Sequence, residues 1–226
     1  MVAIFAHYFP NVVGISDEFV QSTWETIYMV VATAIIAGII GMFLGVALTV
    51  TEPGHILAQR TVYSVLDKLV NLFRSIPFII LLAVIVPFTR LLVGTSIGTT
   101  AAIVPLVLGS APFYARQIQN ALVEVDPGII EAAESVGSSP LEIIFRVYLK
   151  EGLSEIIRVS VVTLISVIGL TAMAGAVGGG GLGNLAISVG YNRFQNDVTF
   201  ISMIIILLMV FIVQVVGDFF ARKTAH

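Results

Sequence analysis

Residues 26–51 read TIYMVVATAIIAGIIGMFLGVALTVT, and no side chain among them carries a charge. A helix needs about 20 such residues to cross a bilayer. Residues 91–115, 159–192 and 198–217 are likewise free of charge. The chain has 226 residues, of which 58% are hydrophobic and 11% charged. Soluble domains run at roughly 45–50% apolar, and here the excess is gathered into blocks. Too few polar residues remain to coat a soluble core of this size, so the reading is an all-α polytopic membrane protein.

Working outward from that stretch, five transmembrane helices are predicted at about 22–50, 70–93, 96–116, 155–178 and 198–220, in one domain covering 1–226. The second is the least clean, because residues 75–89 give only fifteen uncharged positions. It must include Arg90 or residues before Arg74, whose side chains would snorkel toward headgroups. The third continues through Pro105 and Pro112, which membrane helices tolerate when neighbours satisfy the freed carbonyls. The N-terminus lacks a basic region and a small-residue cleavage site, so no removable signal peptide is expected. Cysteine is absent, which excludes disulfides and thiolate metal sites.

An odd number of spans puts the termini on opposite sides. With the C-terminus in the cytoplasm, the inside carries Arg60, Lys68, Arg74, Arg116, Arg146, Lys150, Arg158, Arg222 and Lys223, nine of the 11 basic residues. Only Arg90 and Arg193 remain outside. Lysine and arginine concentrate in cytoplasmic loops, so the N-terminus is expected outside and the loop 117–154 inside. Trp24 and Tyr28 fit the aromatic belt at the outer interface. His7, His55 and His226 are too scattered for a metal site and read as solvated or interfacial.

The loop 117–154 is unusual in being long, helical and charged. Asp126-Pro127 offers a capping acceptor followed by proline at the first helical position. Gly137 is placed to end that helix in a left-handed cap. Ser139-Pro140-Leu141-Glu142 then has the spacing of a capping box. Two short helices at an angle follow, carrying Ile129, Ile130, Ala133, Val136, Leu141, Ile144 and Phe145 as apolar side chains. Such an element either packs on its own bundle or the lipid surface, or docks into a groove on a cytoplasmic protein.

Those residues resemble a family signature. The series Glu131-Ala132-Ala133, Gly137, Val147 and Leu149 is similar to the E-A-A loop of ABC-importer permeases, departing from it at Val147 (isoleucine in the signature) and Lys150 (proline). The run Phe73-Arg74-Ser75-Ile76-Pro77-Phe78-Ile79-Ile80-Leu81-Leu82 resembles the methionine branch of that family. So do Pro87-Phe88-Thr89-Arg90, Val93 to Gly98, Ala101 to Leu106, Ala111-Pro112-Phe113, Ala174 to Gly178, and Gly180 to Gly183. The likeness covers roughly residues 20–222. It implies a homodimer with five spans per subunit and a type I importer fold in the bacterial inner membrane. It also implies two cytoplasmic ATPase subunits and an extracytoplasmic methionine-binding (lipo)protein. ATP closing the ATPase dimer would then pull the coupling helices and switch the pore.

Energy would have to arrive mechanically, since the chain has no G-x-x-x-x-G-K-[ST] loop for phosphate. ATP and magnesium are therefore expected on the partner ATPases, with no cofactor, metal or nucleic acid on this chain and no enzymatic activity of its own. Glu131 and Glu134 are candidate anchors for partner side chains. Seven glycines at 169, 175, 178, 179, 180, 181 and 183 read either as close helix packing or as a gate. In the second reading Met173, Gly175, Gly178 and Gly181 line the translocation pathway, with flexible Met173 filling the constriction. Thr163, Ser166 and Thr171 could give a methionine zwitterion transient contacts, or simply hydrogen-bond between helices. Gly41-x-x-x-Gly45 reads as packing within the subunit.

Three other functions stand beside this one. A permease for another polar amino acid or small organic ligand would share every feature above. An intramembrane enzyme would need paired Asp, His-x-x-x-His or a Ser/Lys dyad at membrane depth, and an ion-coupled transporter would need buried carboxylates and inverted repeats. The sequence shows neither set.

Overall fold

The computed structural model describes residues 9–224, and His7 and His226 lie outside that range. Among the described residues the regular structure is helical throughout. A short helix α1 (Pro10–Gly14) precedes α2 (Ser16–Thr51), which has Asp17 and Glu18 in its first turn, where the helix dipole favours negative charge. At about 1.5 Å per residue α2 is roughly 54 Å long, well beyond the roughly 30 Å hydrocarbon core. Val20, Trp24, Tyr28, Val31, Ile35 and Ile39 form an exposed stripe along it, as a lipid-facing helix requires.

The expected second span is not one helix. The chain forms α3 (Arg60–Ser75), α4 (Phe78–Val84) and α5 (Val86–Val93). Ile76 is driven to extended backbone (φ −79°, ψ 119°) because the ring of Pro77 disfavours the helical region for the residue before it. Pro87 cannot donate its share of the ladder, and the helix is interrupted again at Ile85. Pro105 and Pro112, by contrast, sit inside unbroken α6 (Thr99–Val123). Both are buried, whereas Pro77 and Pro87 are exposed. Packing on all sides holds the backbone helical where an exposed proline lets it bend.

The charged segment contains α7 (Pro127–Ser135), α8 (Pro140–Ile143), a π-helical turn Ile144–Tyr148, and α9 (Leu149–Glu151). Then come α10 (Leu153–Ala174), the glycine segment Gly175–Gly179, α11 (Gly181–Asn184) with a π-helical continuation Leu185–Tyr191, and α12 (Asn196–Thr224). By length and hydropathy α2, residues 153–179 and α12 could each cross a membrane.

By contacts the chain forms two compact units. One takes the residues up to Ile35, Pro77–Val107 and Leu164–Val213; the other takes Ile36–Ile76, Leu108–Thr163 and the residues from Gln214 on. The first has cores around Met29, Ala102, Leu106 and Ala174, and around Phe19, Leu182, Leu185 and Val198. In the second, Val50, Ile118, Leu122, Ile143, Tyr148 and Ile156 pack together. There Gly41 and Gly45 admit α6 closely: a Cβ at Gly45 would lie 2.6 Å from that of Ile118. Arg116 pairs with Asp67 and donates to Asn71 (3.1 Å) and Gln119 (2.6 Å), and Gln119 donates to Glu52 (3.0 Å). This chain of hydrogen bonds ties α3 to α6 within the second unit.

Candidate functional site

Asp126 caps α7 by accepting from the Gly128 N–H at 2.8 Å, with Pro127 in the first turn. At the other end Gly137 takes φ +80°, and the Gly137 N–H reaches Glu134 O while the Ser138 N–H reaches Ala133 O at 3.1 Å. That pair of bonds is the Schellman closure. Ser139 and Glu142 then exchange bonds in both directions: Ser139 N–H donates to Glu142 Oε2 (2.9 Å) and Glu142 N–H to Ser139 Oγ. These bonds from the Ser139 backbone and hydroxyl hold the Glu142 carboxyl below its usual range. The Gly137 closure and the Ser139–Glu142 capping box thus shape the junction between α7 and α8, while Asp126 caps the far end of α7.

The apolar residues of this element separate into two sets. Ile130, Ala133, Ile143, Ile144, Val147, Tyr148 and Leu149 pack on the core of the second unit. Val136, Leu141 and Phe145 do not; they are 81%, 66% and 66% exposed, and Ile129 is exposed beside them. Of the residues singled out by sequence, Ala133, Val147 and Leu149 thus root the element, while Glu131, Ala132 and Gly137 lie on its exposed surface. Val136, Leu141 and Phe145 carry the unpartnered apolar surface, and their periodicity gave no hint of which would be exposed.

Glu131 and Glu134 line a cleft of about 450 Å³ with His55, Ile130 and Tyr148. The Tyr148 hydroxyl and His55 Nδ1 are buried there without a hydrogen-bond partner among the described residues. Burial, followed by the charge of Glu134, pushes the Tyr148 phenol up. No local sequence signal marks the π-helical turn that carries Tyr148.

The glycine segment belongs to the first unit. Val177 (φ −112°, ψ 25°) and Gly178 (φ +94°) leave the helical region, and Gly180 and Gly181 also have positive φ. The Gly98 N–H donates to Gly178 O at 2.9 Å. A Cβ at Gly175 would stand 2.5 Å from Asn184 N and 2.7 Å from Gly180 O, so the chain folds back on itself there. Gly175, Gly178 and Gly181 are brought into one tight turn. Met173 stands apart from it, 41% exposed on α10. Val177 and Gly179 border an apolar cavity of about 320 Å³ with Leu82, Ala101 and Ala102. Thr163 and Thr171 donate to carbonyls of their own helix, of Val159 and Ile168, rather than across helices.

The family described as the binding-protein-dependent transport system inner membrane component matches residues 40–226. The chain belongs to that family. It is an inner-membrane permease, a transport subunit rather than a catalytic one. This permease is 42% identical over 211 residues to a probable D-methionine transport system permease protein MetI of Vibrio cholerae, covering 93% of this chain and 94% of the relative. It is 47% identical over 215 residues to the methionine import system permease protein MetP of Bacillus subtilis, covering 95% and 96%. Among solved structures, the inward-facing MetNI methionine ABC transporter matches with a TM-score of 0.92 at 41% identity, covering 94% of this chain and 99% of that one. An alginate ABC transporter matches at TM-score 0.77 and 13% identity, a likeness of fold alone.

Proposed function

We propose that this permease moves methionine, in both enantiomers and close analogues, through a homodimeric pore driven by two cytoplasmic ATPase subunits. Those subunits bind ATP and magnesium, and an extracytoplasmic methionine-binding lipoprotein delivers the substrate. Five spans per subunit are read as α2, the broken series α3–α5, α6, α10 and α12. Four of these helices contribute residues to both compact units, which supports treating 1–226 as one permease domain. The N-terminus faces outward and the C-terminus inward, as the distribution of basic residues favours.

The observation that carries the coupling role is the division of apolar residues on α7–α9. Ala133, Val147 and Leu149 root the element in the permease while Val136, Leu141 and Phe145 remain uncovered. Fully burying such a side chain is worth about 1.5–3 kcal/mol, whereas an exposed ion pair gives about 0–1. The apolar face therefore supplies most of the docking energy, and Glu131 and Glu134 set orientation. Capped at both ends and rooted in the core, the element transmits a push or pull as a rigid lever. Met173, Gly175, Gly178 and Gly181 are assigned to the gate and pathway, with the glycine turn as the part that moves.

Uptake of labelled methionine by cells expressing the complete operon tests the substrate. Unlabelled methionine competing for uptake supports it; failure to compete sinks methionine and leaves a permease for another polar ligand. Coupling is tested separately: Gly137→Pro, or a bulky charged residue at Ala133, should abolish copurification of the ATPase while leaving membrane insertion intact. Retained binding and full transport in both variants would overturn the docking role.

A further inference from the structure

Glu25 is the charged residue that immediately precedes the charge-free stretch of α2, and in the folded chain it meets the glycine turn 156 positions away. Its Oε2 accepts from the Gly181 N–H at 2.7 Å, and Oε1 accepts from Gln21 Nε2 at 2.9 Å. The next residue repeats the contact: Thr26 Oγ1 accepts from the Leu182 N–H at 2.9 Å while donating to Ser22 O. Thr26 is buried.

The fit is close on both sides. A Cβ at Gly180 would approach Glu25 Oε2 to 2.9 Å and Thr99 Cγ2 to 3.0 Å; one at Gly181 would approach Thr26 Oγ1 to 2.6 Å. Glycine at these positions lets the backbone reach the two acceptors, in a conformation (φ +80° and +71°) that other residues resist. Two consecutive N–H groups at the start of a helix have no partner within it, and here both are taken by consecutive side chains of α2. A carboxylate acceptor makes the first of these bonds stronger than a neutral one.

We propose that Glu25 and Thr26 are positioning residues that latch the Gly178–Gly181 turn to α2, so that the turn opens only when α2 moves. The proposal rests on the gate reading above and adds to it the element that keeps the gate shut between transport cycles. Loss of the latch uncouples: the ATPase continues to turn over, but the turn opens without it.

The test uses the complete importer (permease dimer, ATPase and binding protein) in proteoliposomes. Three rates are read: ATP-driven uptake of labelled methionine, ATP hydrolysis stimulated by loaded binding protein, and efflux of preloaded methionine without ATP. Loss of one charge-assisted hydrogen bond corresponds to about a tenfold change in an equilibrium. Glu25→Ala should therefore raise efflux about tenfold and lower methionine moved per ATP by about as much, with hydrolysis nearly unchanged. Glu25→Gln keeps an acceptor oxygen and should restore both to within about threefold. Thr26→Val, close in shape, should shift them in the same direction by about threefold to tenfold.

Two results overturn the latch. In one, Glu25→Ala leaves efflux and the methionine-to-ATP ratio at wild-type values; in the other, it lowers uptake and hydrolysis in equal proportion with no efflux, which is a folding defect only. Gly178→Ala separates this from the gate itself, because its strain is in φ and its nearest neighbour, Ile97, leaves room at 3.5 Å. If Gly178→Ala leaks and Glu25→Ala does not, the latch is wrong and the gate stands. If neither leaks, both are wrong.

Discussion

The bent element α7–α9 and the glycine turn 175–181 both depend on left-handed glycines, yet they are held in opposite ways. Gly137 has φ +80° and nothing within 4 Å of where its Cβ would be. Its partners are the neighbours Ala133, Glu134 and Ser138, and the element keeps its shape through local caps. Gly175 has backbone atoms of Gly180, Gly183 and Asn184 within 2.8 Å of its would-be Cβ, and the turn it belongs to is pinned by Glu25 and Thr26 from another helix. One site is held by bonds among its own neighbours; the other folds on its own backbone but is tied to distant parts of the chain, at Gly98 and on α2. The first property suits the lever proposed for α7–α9, and the second suits the gate proposed for the glycine turn.

The sharpest way to break this contrast is to make the same substitution in both places. Gly175→Ala forces backbone apart and should cost about 3 kcal/mol, the upper range for overpacking. Gly137→Ala meets open space and should cost only the left-handed strain, about 1–2 kcal/mol. Thermal unfolding of the detergent-solubilised dimer compares the two; equal losses would contradict the distinction.

Next in size is the uncovered face. Leu141→Asp and Phe145→Asp should each weaken ATPase retention at least tenfold, about the value of one buried apolar side chain. Melting of the permease alone should stay unchanged, since both residues are exposed. Ser139→Ala removes the cap of α8 and should cost about 1 kcal/mol. It should loosen ATPase retention modestly while leaving methionine efflux untouched.

The smallest effect is on pH. The Glu142 carboxyl is held below its usual range by the Ser139 backbone and hydroxyl. A carboxylate with a lowered folded pKa contributes above its unfolded value, about 4.3, and loses that contribution as pH falls through the lowered one. The protection factor of the Ser139 amide, its exchange rate taken relative to the intrinsic rate at the same pH, should therefore fall on acidification below about pH 4, and Glu142→Gln should flatten the dependence.

Much of the bent element α7–α9 was legible in the sequence because its determinants are local. Asp126, Gly137, Ser139 and Glu142 act within five residues of themselves, and each did what its type and spacing dictate. The membrane class was legible from charge-free length. The broken second span was not, because prolines alone do not tell burial: Pro77 and Pro87 bend an exposed path while Pro105 and Pro112 are held straight. Nor could the Gly181 contact with Glu25 or the pairing of Arg116 with Asp67 be read, since each joins residues far apart in the chain. Which of Ala133, Val136, Leu141 and Ile144 would be covered also depended on distant partners on α6 and at Val50.

In the proposed coupling, ATPase force enters through the uncovered face of α7–α9. Its most direct test is ATP-driven methionine uptake by proteoliposomes carrying the complete importer with Leu141→Asp and Phe145→Asp combined. Uptake should fall at least about tenfold, with the permease dimer inserted and its melting unchanged. Wild-type uptake with the ATPase still bound would contradict it.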